Sequence, residues 1–464
     1  MEKSDRPEIA GSDGILLLDT FDEPARLLME SFDKAGFRGE IIVINDGGFL
    51  PDNVKSLFRW FCYDDKKEDA SVNTELVRRR FAGWKPGEPR FFNQIELPDY
   101  WEISASNNEG EIHDKSHLRG KIFFSNLKNR LVSEVDWKNE KGVTRCTDHY
   151  DSRGELYSRT IFDKHGHRFA RIWFDKNGVE CVSENYVTGD ILTDNDGKTR
   201  LFRSRTDLAV EMIKELGAYG EKIFYNSLSI PMFVSERVES DRGHVLFWQE
   251  APRADVPGNM QQILSGKTRT TAIYVQNIES YSRLISLTDN RDIFHRLGFV
   301  YSFERENRHS RDILICTNSD RIDGLDTLVR GLEGFTFHIA AVTEMSERLL
   351  AYSKYSNVRL YPVVRKEMAD ELFDKCDIYL DVNFGSEILS AVKRAFLNNM
   401  LILGILPLLH GRRYTSPENV FSSAKEIVKV VDECGTDTGA LEERLALQRG
   451  YAMSESEDAY RALI

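Results

Sequence analysis

Residues 149–182 read HYDSRGELYSRTIFDKHGHRFARIWFDKNGVECV, and this stretch decides how the chain folds. Three times an aromatic residue and an aspartate (Tyr150-Asp151, Phe162-Asp163, Phe174-Asp175) precede two polar residues and a glycine. The glycines Gly154, Gly166 and Gly178 continue a series of period 12 that begins at Gly142, and a less regular copy ends at Gly197. Asn139 and Asp194 take the aspartate's part in the outer copies. An Asp or Asn at the first turn position bonds the backbone two residues on, and glycine supplies the positive φ that closes the turn. The intervening segments, such as 156–162 and 169–174, are rich in β-branched and aromatic residues. The pattern predicts hairpin after hairpin, an antiparallel meander.

Outward from this stretch the periodicity changes. A breaker-rich run, WKPGEP at 84–89, marks the start of the β-block, which spans residues 88–203. Before it, Ala25, Leu27, Leu28, Phe32 and Ala35 fall at helical spacing, and Ile41 to Ile44 form a short buried strand broken by Asp46-Gly47-Gly48. Gly47-Gly48 reads either as a close backbone approach to a ligand or as a simple tight turn. After the block, Thr206 is the expected N-cap of a helix carrying Leu208, Val210, Met212 and Ile213. Strands are expected at His244–Trp248, Thr271–Val275 and Gly298–Phe303. A second series follows at Asp312–Thr317, Phe335–Val342, Val358–Val363, Ile378–Val382 and Leu401–Ile405, with helices starting near Gly324, Met345, Lys366 and Glu387. Apolar strands alternating with helices imply parallel sheets covered on both faces.

The expected fold is therefore α/β and GT-B-like: two Rossmann-like domains, the first interrupted by an antiparallel β-meander. The boundaries are 1–87 with 204–305 for the split first domain, 88–203 for the insert, 306–440 for the second domain, and 441–464 for a C-terminal helix packing back. Two such domains are expected to bind a ligand at the carboxyl ends of their strands.

Composition narrows the function. The 464 residues carry a net charge of −13, which argues against general nucleic-acid binding. Six scattered cysteines without a CxxC pair suit a reducing compartment, and no histidine stands at metal-ligand spacing. Gly14 to Leu18 is too short for a signal peptide's apolar region, and Met400 to Leu409 cannot span a bilayer. The expectation is a cytoplasmic protein. Arg78-Arg79-Arg80 leaves peripheral membrane contact open, although a run of three is more often a solvated face.

Longer runs carry a resemblance. FFNQIELPDYWEI (91–103), VDWKNEKG (135–142), ENYVTGDI (184–191), VLFWQE (245–250), PGNM (257–260), TNSD (317–320), AAVTEMS (340–346) and NVRLYP (357–362) are the runs concerned. Together they resemble the GtfB-type B subunit of the bacterial O-GlcNAc transferase that modifies serine-rich-repeat adhesins. The resemblance implies a co-activator and stabiliser that holds the unfolded, Ser/Thr-rich adhesin for a catalytic A subunit. It implies a heterotetramer acting before export by the accessory Sec route, with the inserted sheets as subunit contact. Tyr150, Phe162, Trp173 and Phe174 are the interface residues expected on that basis.

The catalytic alternative is an active retaining GT-B transferase using UDP-GlcNAc through Arg321, Lys393 or Arg394. Such an enzyme needs a helix N-terminus facing the donor diphosphate, basic side chains and a carboxylate for the ribose. Here Glu387 puts a negative charge in the expected first turn, and the positions seven or eight onward are Lys393, Arg394 and Ala395. The loop Thr317-Asn318-Ser319-Asp320-Arg321 has one base where active enzymes carry two. No catalytic residue, metal or cofactor is expected. For the peptide, Trp248, Gln249 and Glu250 close one strand, with Asn259 beyond it; Asn318, Ser319, Thr343, Glu344 and Tyr361 sit at the ends of others. Trp248 and Tyr361 are equally readable as buried aromatics, and Asn259, Asn318 and Thr343 as helix caps.

Overall fold

The computed structural model describes residues 12–62, 84–106, 108–126, 130–195 and 197–464; Arg78-Arg79-Arg80 lies outside the described residues. By packing, the chain divides into two units. One holds the chain through Tyr274 together with Arg283–His295, and the other holds Val275–Ser282 and Arg296–Leu463.

The first unit contains two sheets. Ile15–Thr20 is an interior strand of a seven-stranded sheet, flanked by Glu40–Asn45 on one side and Ile223–Tyr225 on the other, both parallel to it. His244–Trp248, Thr270–Val275 and Phe294–Arg296 extend it outward. Ile15 to Leu18 are wholly buried, as a strand covered on both faces must be. The helix Glu23–Lys34 follows at once because Asp22 accepts a hydrogen bond from the Ala25 N–H (3.0 Å) and Pro24 stands in its first turn.

The second sheet is the meander. Ten strands from Trp101–Ala105 to Lys198–Phe202 lie side by side in sequence order, each antiparallel to its neighbour. The turns repeat one chemistry. Asp163 Oδ1 accepts from the His165 and His167 N–H groups at 2.8 and 2.9 Å, and Asp175 Oδ1 accepts from Asn177 and Val179 at 2.8 Å each. Gly166 and Gly178 close these turns at φ 85° and 77°. Ile112, Ile122, Val132, Val135 and Tyr150 form the sheet's small core.

The meander is bolted to the parallel sheet. Trp173 stacks on Phe58, with ring centroids 3.9 Å apart and planes 6° from parallel. Arg59 reaches Asp151 at 2.7 Å and Asp46 at 3.5 Å, both carboxylates being buried. Tyr157 donates its hydroxyl to the Asp46 carbonyl (3.1 Å), and Arg205 pairs with Glu184 (2.5 Å) while also donating to Asn45. Gly48 decides the question of the Gly47-Gly48 pair. Its φ is 86°, and a Cβ there would stand 2.7 Å from the Tyr150 carbonyl oxygen. The close approach is to the chain's own insert.

The second unit is built on six parallel strands, in the order Val358–Tyr361, Thr336–Ala341, Asp312–Thr317, Ile378–Asp381, Leu401–Ile405, Val420–Phe421. The C-terminal segment forms two helices, Thr438–Tyr451 and Glu457–Arg461. Gln448 of the first accepts from the Ile402 N–H (2.9 Å) and donates to the Met400 carbonyl (3.0 Å).

Some expectations need correcting. The helix at 205–215 is capped by Ser204, whose hydroxyl accepts from Asp207 N–H (3.1 Å), and not by Thr206. Residues 298–303 form no strand: Phe299 instead makes an isolated bridge to Ser454. The helix expected near Glu387 begins at Ala391, because Leu389 and Ser390 both take left-handed φ values (59° and 49°).

Candidate functional site

In the sheet of the second unit the strand order reverses between Asp312–Thr317 and Ile378–Asp381, the point at which open α/β sheets present a binding crevice. The loops after these two strands are zipped together. Asp323 N–H donates to the Val382 carbonyl (2.9 Å), Phe384 N–H to the Arg321 carbonyl (3.1 Å), and Ile322 bridges Asn383. Thr317 Oγ1 lies 2.6 Å from Asn383 Oδ1, and Asn318 donates to Ser386 Oγ at 3.3 Å. The Arg321 guanidinium lies over the Phe384 ring, 4.3 Å from its centre.

The anion position at the end of this crevice is taken by the protein itself. Glu387 Oε1 accepts from the Val392 N–H at 2.9 Å, at the start of the helix Ala391–Leu397. An N-terminal amide that could meet a phosphate thus meets a carboxylate already present. Arg394 is committed to Asp370 (2.5 Å) and packs over the Phe373 ring at 3.9 Å. The loops following four of the strands each expose an apolar side chain, namely Val342, Val363, Phe384 and Leu406.

Sequence reasoning passed over His410. Its Nδ1 lies 2.6 Å from Asp381 Oδ1, its Nε2 2.7 Å from the Gly385 carbonyl, and its backbone N–H donates to Asp381 Oδ2 (2.8 Å). Both ring nitrogens face acceptors, an arrangement that favours the imidazolium. Burial opposes that charge, but the bonds to Asp381 and to the Gly385 carbonyl outweigh it and hold the pKa above the ordinary histidine value. His410 thereby neutralises a fully buried carboxylate and fixes the loop after Ile378–Asp381.

The nine residues expected to hold a peptide have different fates. Trp248 is 2% exposed and belongs to the core, so it offers no face to a ligand. Gln249 is occupied internally, accepting from Asn226 (3.1 Å) and donating to the Pro24 carbonyl (3.0 Å). Glu250 is exposed and pairs with Arg253 at 2.9 Å. Asn259 caps nothing; it donates to the Leu228 carbonyl (2.8 Å) from within the helix that starts at Gly258. In the second unit Asn318, Thr343 and Glu344 are exposed, and Ser319 and Tyr361 are half-buried. The Tyr361 hydroxyl is tied to His338 Nδ1 (2.9 Å), and His338 Nε2 lies 2.7 Å from Asp312.

Two of the four expected interface residues are also corrected. Tyr150 lies in the meander's core and Trp173 is sandwiched against Phe58; at 5% and 2% exposure neither presents a surface. Phe162 and Phe174 are half-buried. The first unit also holds an open pocket of about 500 Å³ that no sequence signal indicated. Phe21, Phe49, Leu50 and Pro51 form its apolar floor, with Arg26 and Ser152 among its polar groups. Asp19, nearby in sequence, is a hub, accepting from Asn45 (2.7 Å) and Ser227 (2.8 Å). Among the described residues no group of three His, Cys, Asp or Glu side chains could hold a metal ion.

Two Rossmann-type parallel sheets on one chain, the first carrying an inserted antiparallel sheet, define a GT-B-like α/β protein. Four domain families match in order: the GtfB N-terminal domain over 15–61, the GtfB middle domain over 101–203, the GtfB third domain over 205–287 and the GftB/GlyA-F C-terminal domain over 313–448. The chain belongs to the GtfB family. It is 35% identical over 456 residues to the UDP-N-acetylglucosamine--peptide N-acetylglucosaminyltransferase stabilizing protein GtfB of Streptococcus agalactiae, covering 97% of this chain and 98% of that one. Identity to the Streptococcus gordonii protein of the same name is also 35%, over 433 residues, covering 91% and 92%. A chain in the crystal structure of a GtfA/B complex bound to UDP and GlcNAc superposes with a TM-score of 0.86 at 32% identity, over 97% of this chain and 99% of that chain.

Proposed function

We propose that this protein is the stabilising, acceptor-binding subunit of a protein O-GlcNAc transferase and transfers no sugar itself. It holds the unfolded Ser/Thr-rich adhesin for a catalytic A subunit, two copies of each forming the complex at the cytoplasmic side of the cell. The observation that carries this reading is the Glu387 carboxylate on the Val392 N–H, inside loops that are already zipped together. A donor diphosphate would have to displace a like charge and break backbone hydrogen bonds to enter. The names of the relatives, stabilizing proteins of a peptide N-acetylglucosaminyltransferase, support the same reading.

In this reading the division into a split first domain (1–87 with 204–305), an insert (88–203), a second domain (306–440) and a C-terminal segment (441–464) follows function. The insert meets the A subunit, with Phe162 and Phe174 as its available aromatics, while Tyr150 and Trp173 keep it in place. The exposed polar ends Asn318, Thr343 and Glu344 and the apolar pocket of the first unit are the places assigned to the acceptor. The test is an omission assay with this chain, the A subunit, UDP-GlcNAc and an adhesin fragment. Transfer is expected with both subunits and absent with this chain alone. GlcNAc transfer by this chain alone would make it an enzyme.

A further inference from the structure

The joint between the meander and the parallel sheet holds two free thiols that nothing in the proposed function uses. Cys62 follows the short helix Leu57–Trp60, and its Sγ lies 3.5 Å from the Phe58 carbonyl oxygen. Cys181 is the second residue of the strand Glu180–Asn185. Its Sγ lies 3.9 Å from the Cys62 carbonyl oxygen and 3.2 Å from that of Val179. The two residues are 119 positions apart in sequence. They are neighbours in space because Phe58, one turn before Cys62, stacks on Trp173, and Trp173 is the cross-strand partner of Val182, next to Cys181.

We propose that Cys62 and Cys181 form a redox-responsive staple, in which a peroxide oxidises the pair to a disulfide that fastens the inserted sheet to the parallel sheet. With Cys181 Sγ against the Cys62 main chain, the two thiols perturb one another, Cys181 being held below the ordinary thiol pKa and Cys62 well above it. Cys181 is therefore the nucleophile. Its thiolate attacks one peroxide oxygen, the O–O bond breaks, hydroxide leaves, and the sulfur becomes a sulfenic acid. The Cys62 thiol then attacks that sulfur. An S–S bond forms, the S–O bond breaks, and the departing oxygen leaves as water. Two thiols and one hydrogen peroxide give one disulfide and two waters. Cys316 and Cys376, deep in the second unit, have their thiol pKa values raised by burial, as does Cys434, which makes them poor competitors.

The staple closes a loop of more than a hundred residues across a joint whose halves are already packed, the case in which a cross-link restrains the unfolded chain most. The full chain is treated with hydrogen peroxide, blocked with N-ethylmaleimide and weighed intact, then digested without reduction. The expected result is a mass lower by two hydrogens than that of reduced, unblocked protein at these two positions. A single cross-linked pair of peptides containing Cys62 and Cys181 should appear, with a melting temperature several degrees higher. Dithiothreitol should reverse all three changes. Cys62→Ser and Cys181→Ser should each abolish the cross-link and the shift while melting, when reduced, close to the parent. Oxygen adducts on Cys181 without a cross-link, alkylation of both thiols after peroxide, or an equal melting shift in either serine variant would overturn the proposal.

Discussion

Glu387 sets a carboxylate oxygen 2.9 Å from the backbone N–H of Val392, so a helix-start amide beside the crevice of the second unit's sheet already holds an anion. A side-chain acceptor on a helix-start amide stabilises the helix by about 1 kcal/mol. Glu387→Ala should lower stability by that amount in denaturant titration. Because the zipped loops remain, it should not confer donor binding. Millimolar UDP-GlcNAc should leave the melting temperature of both parent and variant unchanged. A clear rise for the parent would mean that the crevice opens to nucleotide sugars.

Arg59, with Arg205, links the two sheets of the first unit electrostatically. Its removal leaves Asp46 and Asp151 buried without their cation, a change that typically costs about 3–5 kcal/mol. Arg59→Ala is expected to melt well below the parent in calorimetry. If it melts within a degree of the parent, the insert is held by the Trp173–Phe58 stack and the bonds of Arg205 and Tyr157 without Arg59.

Trp173 and Phe162 should separate attachment of the insert from contact with the A subunit. Trp173→Ala opens a cavity beside Phe58 and should destabilise by about 3–5 kcal/mol. Phe162→Ala, at a half-buried position, should change stability much less but weaken co-purification of the A subunit. Unchanged capture by Phe162→Ala would place the subunit contact elsewhere on the chain. Deletion of the whole insert is a blunter probe, since it strips the cover from Phe58 and Asp46.

His410 makes stability depend on pH. Its folded pKa lies above the ordinary value of 6.5, so its contribution is complete below that value and fades as pH rises through the folded pKa. His149, His244 and His338 have lowered values, chiefly from burial, and act in the opposite sense as pH falls below 6.5. The informative quantity is the melting temperature of the parent minus that of His410→Gln. This difference should be largest near pH 6 and shrink toward alkaline pH. A flat difference would mean that the ring does not titrate in this range.

The meander was legible because its signal is local. Asp163 or Asp175 bonds to amides two and four positions away, so the pattern in sequence is the contact in space. Apolar runs such as Asp312–Thr317 were equally readable. Ile15–Thr20 escaped notice, although it is an interior strand of its sheet, because so short a run after a polar start carries no periodicity. The site was harder. Trp248 and Trp173 look alike in sequence to exposed aromatics, and only tertiary packing buries them. His410 could not be read from its surroundings, since Asp381 and Gly385 lie 29 and 25 positions earlier.

Four successive hairpins of the meander each close their turn with their own Asp or Asn (Asn139, Asp151, Asp163, Asp175) and their own glycine (Gly142, Gly154, Gly166, Gly178). The sheet is therefore modular in width. Gaining or losing one repeat would reverse the direction in which the chain leaves it, whereas gaining or losing two would return the chain to the same side. Among relatives, inserts of different breadth should accordingly differ by pairs of strands, letting the contact surface grow while the supporting sheet keeps its form.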